Sequence, residues 1–232
     1  MPYDLVIFDC DGTLVDSERL YNTITAELLN GLGYAEYTPE LCLELFAGYS
    51  WSTIRQELEI RHQEKMPDDI IGRYVQLAEK RMYTDVQAVP DALGVVEQLG
   101  REYKLCVASN GERHNVLQSL ELTGLIRCFA EEHVFTKIQV ARPKPAPDLF
   151  LFACAQMSVS PDRAVVIEDS LTGVRAARSA HIDVIGFVGT AHDSGRQAEI
   201  LRDAGAFRVL ERLIHIPEAI ADQKRVYPVP LL

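Results

Sequence analysis

Short apolar runs separated by helical patterns recur along most of the chain. An apolar run without polar alternation is typical of a strand that is buried on both faces of a parallel sheet. Such runs lie at 5–8, 105–108, around Phe135, 164–167 and 184–188. Helical spacing predicts helices near 92–99, 113–122, 147–157, 171–180, 195–204 and 211–222. This alternation predicts a doubly wound α/β domain with a mostly parallel sheet.

The stretch after the first apolar run has helical periodicity and no strand pattern. Ser17 is a candidate N-cap for a helix that ends near Gly31. Further helices are predicted at 39–46, ending near Gly48, from Ser50 or Ser52 to about 64, and from 67 or 68 to 82. We therefore expect an α/β core domain at 1–15 and 86–225, an inserted helical domain at 16–85, and a C-terminal tail at 226–232.

The composition is that of an ordinary soluble globular protein. The 232 residues are 47% hydrophobic and 25% charged, and no apolar run approaches the ~20 residues of a membrane span. The segment before the first strand has no room for a signal peptide. A net charge of −11 without a basic cluster argues against nucleic-acid and anionic membrane partners. Five dispersed cysteines without a C-x-x-C motif favour reduced thiols and a cytoplasmic location.

Two carboxylates follow the first strand directly. Asp9 and Asp11 are two residues apart, so both emerge on the same side at the carboxyl edge of the sheet, and Gly12 then allows a sharp turn. Such a pair repels itself unless a cation or a shared proton relieves it. One Asp can attack phosphorus, and the other can act as general acid and base. On its own, Asp-x-Asp is more often a polar turn.

Two other buried strands also end in reactive polar groups. Ser109 and Asn110 follow the run at 105–108, and Glu168 and Asp169 follow the run at 164–167. Lys144 is fixed between two prolines just before a helix. Each feature alone is more simply a turn, a helix cap or a solvated side chain. Together, at one edge of a parallel sheet, they indicate phosphoryl transfer.

Each group has a role in that chemistry. Mg²⁺ prefers oxygen ligands, which Asp9, Asp169, the Asp11 carbonyl and Glu168, directly or through water, can supply. The Ser109 hydroxyl and backbone N–H groups near Asn110 can hold phosphate oxygens. Lys144 adds positive charge beside Asp9 and the phosphoryl group.

Four motifs together resemble the haloacid dehalogenase (HAD)-like hydrolases, in particular the group of β-phosphoglucomutase, phosphoglycolate phosphatase and sugar-phosphate phosphatases. They are Asp9-Cys-Asp-Gly-Thr-Leu-Val-Asp-Ser-Glu, Ala108-Ser-Asn-Gly, Lys144-Pro-Ala-Pro-Asp and Ile167-Glu-Asp-Ser-Leu-Thr-Gly.

The resemblance implies a Rossmann-like core and a set of residue roles. Asp9 is the nucleophile that forms an aspartyl-phosphate, and Asp11 is the general acid and base. Thr13, Ser109 and Lys144 serve the phosphoryl group. The metal ligands are drawn from Asp9, Asp11, Glu168 and Asp169, and the metal is Mg²⁺. Residues 16–85 are then the helical cap, which closes over small substrates and excludes water.

Three functions other than a phosphatase are possible for such a sequence: a dehalogenase, a phosphomutase and a non-catalytic scaffold. Dehalogenases lack the second Asp, so Asp11 argues against that chemistry. Phosphomutases carry a His where Tyr21 aligns, an Arg where Trp51 aligns, and a hydroxyl and a Lys where this chain has Gly111 and Glu112. These differences favour a phosphatase over a mutase. A non-catalytic scaffold is disfavoured by the four intact motifs.

The substrate is expected to be a phosphorylated sugar, sugar acid or polyol, with phosphoglycolate and nucleotides left open. Candidate substrate contacts are Ser17, Glu18, Tyr21, Trp51 and Arg113. Arg55 is a further candidate, although both arginines are more simply surface residues, and aromatic residues at helical spacing usually belong to a core. We expect a monomer or a weak homo-oligomer.

Overall fold

The computed structural model describes residues 3–46, 49–82 and 84–223. Eight strands lie in this part of the chain: β1 (Leu5–Phe8), β2 (Val15–Asp16), β3 (Gln87–Ala88), β4 (Lys104–Ser109), β5 (Val134–Thr136), β6 (Ala164–Glu168), β7 (Asp183–Phe187) and β8 (Arg208–Leu210). Six of them form one parallel sheet in the order β5–β4–β1–β6–β7–β8. β2 and β3 form a separate antiparallel pair.

The centre of the main sheet is β1, and all four of its residues are fully buried. Phe8 lies in register with Val107 of β4 on one side and with Ile167 of β6 on the other. The carboxyl ends of three adjacent strands therefore meet at one edge. The uninterrupted apolar sequence of β1 follows from this position, because a central parallel strand has no solvent-facing side.

Ten α-helices lie in the described part of the chain: α1 (Ser17–Gly31), α2 (Pro39–Phe46), α3 (Trp51–His62), α4 (Ile70–Met82), α5 (Ala92–Leu99), α6 (Arg113–Leu122), α7 (Asp148–Gln156), α8 (Leu171–Ser179), α9 (Ser194–Asp203) and α10 (Ile216–Gln223). On one face of the sheet, Leu5 and Ile7 share a core with Phe150 of α7 and Val174 of α8. On the other face, the ring of Phe8 lies 6.3 Å from that of Phe129. The doubly wound α/β prediction is confirmed.

The chain divides into two compact units, with breaks between Asp16 and Ser17 and between Val86 and Gln87. The expected domain bounds differ from these breaks by one residue. The helical unit, Ser17–Val86, contains α1 to α4 and no strand among its described residues. Its own core holds Tyr37, Cys42 and Leu58, and the Tyr37 hydroxyl lies 2.8 Å from Nε2 of His62.

The predictions missed three short strands. β2 and β3 are two residues long, which is too short for a periodic signal. β8 is partly exposed and lies beside a stretch with helical spacing, so the helix predicted at 211–222 is wrong in its first half and begins only at Ile216. Gly48 and the predicted tail at 226–232 lie outside the described residues. Within those residues, no helix combines the length and the apolar character that crossing a membrane requires.

Candidate active site

Three neighbouring strands bring the predicted polar residues to one edge of the sheet. Asp9 follows β1 directly, Ser109 is the last residue of β4, and Glu168 is the last residue of β6. All three are buried. The convergence expected from the sequence is therefore present, because β4, β1 and β6 are adjacent and parallel.

Lys144 joins two of these strand ends. Its ammonium nitrogen Nζ lies 2.6 Å from Asp9 Oδ1 and 2.7 Å from Glu168 Oε2. Only 2% of the Lys144 side chain is exposed, and Nζ lies 4.8 Å from the centre of the Phe150 ring. In such a dry setting both ion pairs are held with little competition from water.

The Asn110 side chain fixes the backbone of Lys144. Its Nδ2 donates to the Lys144 carbonyl at 3.0 Å, and its Oδ1 accepts from the Lys144 amide at 3.1 Å. Both ends of the Asn110 amide are thus used to position the lysine. The phosphate-binding role predicted near Asn110 falls to backbone N–H groups and stays a prediction.

Asp9, Glu168 and Asp169 form a cluster in which one oxygen from each lies within 4.8 Å of the others. If all three are ionised, Lys144 balances one of the three negative charges and two remain. Burial, and then the charge of Glu168, raise the pKa of Asp9 well above its usual range, although Lys144 opposes this. The same two causes raise the pKa of Asp169 to about 8.

Lys144 itself stays charged. Burial alone would lower its pKa, but the carboxylates of Asp9 and Glu168 outweigh this effect and raise it. The surplus of negative charge therefore belongs to the carboxylates. A buried set of hard oxygen donors that would carry two uncompensated charges when fully ionised fits a divalent cation such as Mg²⁺.

The two oxygens of Glu168 are already engaged. Oε2 accepts from Lys144, and Oε1 accepts from the Ser170 amide at 3.1 Å and the Ser170 hydroxyl at 2.7 Å. Asp9 and Asp169 are consequently better placed than Glu168 to bind a metal directly. Glu168 fits the alternative in which it acts on the metal through water.

Two glycines permit the close approach of these groups. Gly12 has a φ of +83°, and a Cβ at this position would overlap the Asp169 carboxylate. A Cβ on Gly173, in the first turn of α8, would overlap the Glu168 carboxylate. Thr13 follows Gly12 in the sequence, and its hydroxyl donates to Asp169 Oδ1 at 3.2 Å. The structure therefore gives Thr13 a contact with a metal candidate, and its predicted phosphate contact stays a prediction.

Asp11 lies near Ser109, at the carboxyl end of β4. A Cβ built on Gly111 would lie 3.4 Å from Asp11 Oδ2 and 3.2 Å from Ser109 Oγ. The Gly111 amide donates to Ser109 Oγ at 2.9 Å, so the Ser109 oxygen already accepts one bond and its own proton can be donated elsewhere. This arrangement suits a hydroxyl that binds a phosphate oxygen near a proton-transfer group.

Two further residues, Thr190 and Gln197, contact the loops of this cluster without belonging to a sequence motif. Thr190 donates its hydroxyl to the Gly12 carbonyl at 2.7 Å, and Gln197 Nε2 donates to the Asp169 carbonyl at 2.6 Å. Neither residue belongs to a motif, and each partner is remote in sequence, so no local pattern could have identified them.

The predicted contacts in the helical unit have mixed environments. Trp51 is the first residue of α3, is buried, and lies 4.9 Å from the ring of Tyr74. Within the described part of the chain, its Nε1 has no hydrogen-bond partner. Tyr21 is exposed, and its ring centre lies 6.5 Å from that of Tyr74. Ser17 and Glu18 begin α1, Ser17 being buried and Glu18 partly so.

The two candidate arginines hold the local fold together. Arg113 donates to the carbonyls of Val134 and Glu131, the latter at 3.1 Å. Arg55 donates to Glu59 and Asp68, each at 2.9 Å. Each guanidinium is engaged by neighbours within its own unit, and the substrate contacts predicted for Arg113 and Arg55 stay predictions.

The comparison with family models matches residues 6–187 to the haloacid dehalogenase-like hydrolases. The match covers the main part of the chain, including Asp9, Ser109, Lys144 and Asp169. The chain belongs to the haloacid dehalogenase-like hydrolase family, which confirms the family, the fold and the hydrolase class predicted from the sequence.

Individual relatives are similar over most of their length. The chain is 27% identical over 183 residues to the fructose-1-phosphate phosphatase YqaB of Escherichia coli, which covers 79% of this chain and 95% of that protein. It is 29% identical over 215 residues to the phosphorylated carbohydrates phosphatase of Thermotoga maritima, covering 90% and 94%. A HAD family hydrolase from Deinococcus radiodurans, solved with bound phosphate and sodium, superposes with a TM-score of 0.83 at 29% identity, covering 98% of this chain and 99% of that one.

Proposed function

We propose that this protein is a Mg²⁺-dependent phosphatase that hydrolyses a small phosphorylated sugar, sugar acid or polyol through an aspartyl-phosphate. The observation that carries the proposal is the ammonium group of Lys144, held 2.6 Å from Asp9 and 2.7 Å from Glu168 in one buried cluster. That arrangement places a fixed positive charge beside a carboxylate at the edge where parallel sheets bind ligands.

In the first step, an oxygen of Asp9 attacks the phosphorus of the ester. The new bond joins that oxygen to phosphorus, and the bond between phosphorus and the ester oxygen breaks with its electron pair on the ester oxygen. Asp11 gives its proton to this oxygen, so the alcohol leaves neutral. Lys144 stabilises the charge that accumulates on the phosphoryl oxygens.

In the second step, water attacks the phosphorus of the aspartyl-phosphate. Asp11, now ionised, accepts a proton from the water, and the bond between phosphorus and the Asp9 oxygen breaks. Inorganic phosphate leaves, and Asp9 and Asp11 return to their starting states. In the proposed mechanism the Ser109 hydroxyl, whose oxygen accepts from the Gly111 amide, donates its proton to a phosphate oxygen in both steps.

Asp9, Asp169 and the Asp11 carbonyl are the proposed metal ligands, with Glu168 acting through water. When bound, Mg²⁺ supplies the positive charge that offsets the surplus carboxylate charge and the charge of the phosphate. The raised pKa values of Asp9 and Asp169 support this assignment, since buried carboxylates that resist ionisation need a cation.

The substrate class rests on the relatives and on the second motif. The relatives from Escherichia coli and Thermotoga maritima are named for fructose 1-phosphate and phosphorylated carbohydrates. Where the mutases carry a Lys, this chain has Glu112, which is paired with Lys137 at 2.8 Å. A carboxylate there does not favour the second phosphate of a sugar bisphosphate. A cytoplasmic monomer or weak homo-oligomer completes the proposal.

The test is phosphate release from a panel of hexose, pentose, polyol, sugar-acid and nucleotide phosphates and phosphoglycolate. Each ester is assayed with Mg²⁺, with EDTA, and with the Asp9→Asn variant, and isomerisation of β-glucose 1-phosphate is followed in parallel. Asp162→Asn, an exposed carboxylate of the α/β unit, is the matched control. We expect Mg²⁺-dependent release that Asp9→Asn abolishes and Asp162→Asn retains.

Other outcomes overturn the proposal in distinct ways. Conversion of the 1-phosphate to the 6-phosphate without phosphate release would identify a mutase. The absence of both phosphate release and isomerisation would favour the non-catalytic scaffold. Full release in EDTA would contradict the metal assignment while leaving the phosphatase class in place.

A further inference from the structure

Two loops must keep a fixed separation for the carboxylate cluster to bind a cation. The first loop, residues 9–14, carries Asp9 and Asp11, and the second, residues 169–170, carries Asp169 and directly follows Glu168 at the end of β6. They touch where Gly12 lies against the Asp169 carboxylate. The backbone pairing of β1 with β6 extends to the bond from the Asp9 amide to the Ile167 carbonyl at 3.0 Å, and beyond it the Thr13 hydroxyl links the two loops at Asp169.

One segment of the chain is hydrogen-bonded to both loops. Residues 190–197, here called the clamp segment, connect the end of β7 to the first turn of α9. At its start, the Thr190 hydroxyl donates to the Gly12 carbonyl at 2.7 Å. At its end, Gln197 Nε2 donates to the Asp169 carbonyl at 2.6 Å. Both donors are partly buried.

The clamp segment is itself well anchored. β7 pairs with β6 and with β8 inside the main sheet. At the other end, Asp193 caps α9 by accepting from the Arg196 amide at 2.9 Å. Leu201, in the last turn of α9, is fully buried in the same core as Ile7 and Val166. The two donors therefore project from a rigid support and can resist movement of either loop.

We propose that Thr190 and Gln197 are positioning residues that hold the Gly12 and Asp169 loops at the separation needed to bind Mg²⁺. Gln197 binds the carbonyl of Asp169 itself, and Thr190 binds the carbonyl of Gly12, which follows Asp11, the residue whose carbonyl is a proposed metal ligand. Loss of either bond lets one loop move relative to the other, and a shift of the oxygens weakens a cation that demands strict ligand geometry. The proposal rests on the metal assignment of the proposed function.

The test compares Mg²⁺ affinity and stability in four variants. Thr190→Val and Gln197→Met remove one donor each at nearly constant size, and Thr190→Ser retains the hydroxyl. Thr123→Val is the matched control, because the Thr123 hydroxyl also donates to a backbone carbonyl, that of Ser119, at 2.7 Å. Mg²⁺ dissociation constants are measured by calorimetry without substrate, and unfolding temperatures are measured in EDTA.

We expect Thr190→Val and Gln197→Met to weaken Mg²⁺ binding about tenfold each. Thr190→Ser should restore most of the affinity, and Thr123→Val should leave it within about twofold. The unfolding temperature in EDTA should fall by a similar small amount in Thr190→Val and Thr123→Val. A change in metal affinity that is absent from the control then separates positioning from general stability.

Three results would overturn the clamp. They are unchanged Mg²⁺ affinity in both donor variants, an equal loss in Thr123→Val, and a wild-type protein that binds no Mg²⁺. The proposed function fails separately, through the absence of phosphate release from every ester by a wild-type protein that does bind Mg²⁺. In that case the calorimetric comparison still decides the clamp.

Discussion

The carboxylate cluster of Asp9, Glu168 and Asp169 and an aromatic cluster of the helical unit, formed by Trp51, Tyr74 and Tyr21, treat buried polar atoms differently. At the sheet edge, Lys144 pairs with Asp9 and Glu168, and Glu168 also accepts two bonds from Ser170. In the helical unit, the buried Trp51 nitrogen has no hydrogen-bond partner within the described part of the chain.

The difference concerns how firmly each cluster is held in place and which of its polar atoms can still bind a ligand. A cluster in which each charge is held by named partners is rigid, and rigidity suits a reaction that depends on positioning. An indole N–H left unsatisfied inside an aromatic cluster costs free energy, so it needs an explanation such as a water or a ligand. The carboxylate cluster is therefore our candidate for the reaction, and the predicted substrate contact of Trp51 is tested below.

Among the substitutions considered, removal of the Lys144 ammonium from the carboxylate cluster should cause the largest loss of activity and stability. Lys144→Met leaves Asp9 and Glu168 without their shared cation and the phosphoryl group without its stabilising charge. We expect phosphate release to fall by about a hundred- to a thousandfold, and metal-free stability to fall by about 3 kcal/mol.

The measurements are kcat at saturating Mg²⁺ and denaturant unfolding in EDTA. Lys104→Met is the matched control, because Lys104 lies in the same unit and donates to the Met157 carbonyl at 2.9 Å, outside the cluster. Retention of more than a tenth of the activity by Lys144→Met would contradict its proposed role.

A single methyl group should disturb the same cluster nearly as strongly. The Cβ of Gly173→Ala would overlap the Glu168 carboxylate, which Lys144 and Ser170 hold in place. Relief requires movement of Glu168 or of α8. We expect a loss of activity of about a hundredfold and a destabilisation of about 1–3 kcal/mol.

Gly94→Ala is the matched control, since Gly94 also lies in a helix but has open space around its missing Cβ. It should stabilise the protein by about 0.5–1 kcal/mol. Equal behaviour of the two alanine variants in kinetics and unfolding would show that the Glu168 contact is unimportant.

Proton release should accompany metal binding at the sheet edge. The pKa of Asp169 is raised to about 8, first by burial and then by Glu168, so near pH 7 its carboxyl is mostly protonated without metal. A ligand that needs the ionised form displaces this proton, and Mg²⁺ affinity should rise by up to about tenfold per pH unit until about pH 8.

The raised pKa of Asp169 also determines how the stability of the metal-free protein changes with pH. Because the folded state binds this proton more tightly than the unfolded state, metal-free stability should fall as pH rises from about 4 to about 8.

Calorimetry of Mg²⁺ binding in two buffers with different ionisation enthalpies counts the protons that are released. Binding at pH 7 without proton release would contradict the raised pKa of Asp169.

The contrast between the two regions also explains what the sequence could predict. β1 was predicted with its observed bounds because a strand buried on both faces has an uninterrupted apolar run. The positions of Asp9, Ser109 and Glu168 followed, because parallel strands fix where their carboxyl ends lie.

Tertiary partners were not predictable in the same way. Thr190 and Gln197 bind carbonyls that are 178 and 28 residues away in the sequence, and no local spacing encodes such a bond. Arg113 could be read as an anion contact, but only the fold shows its guanidinium on the Glu131 and Val134 carbonyls. Trp51 lies on a helix whose facing depends on packing, so its burial beside Tyr74 was not fixed by the pattern.

The smallest expected changes in stability and activity are those of a Trp51 variant, which tests whether Trp51 contacts the substrate. Trp51→Phe removes the unsatisfied N–H together with some packing volume, and the two changes oppose each other, so stability should change by less than about 1 kcal/mol. Mg²⁺ affinity and kcat for p-nitrophenyl phosphate, whose leaving group carries no hydroxyl, should stay within about twofold.

The KM for the best sugar phosphate should instead rise about three- to tenfold if the indole N–H binds a substrate hydroxyl. Tyr74→Phe is the control within the same cluster, because it retains the tilted ring whose centre lies 4.9 Å from that of Trp51. Equal changes in KM for both esters would assign Trp51 to the core of the helical unit alone. A selective change would mean that an unpaired donor in a folded protein marks the place where the substrate supplies the missing partner.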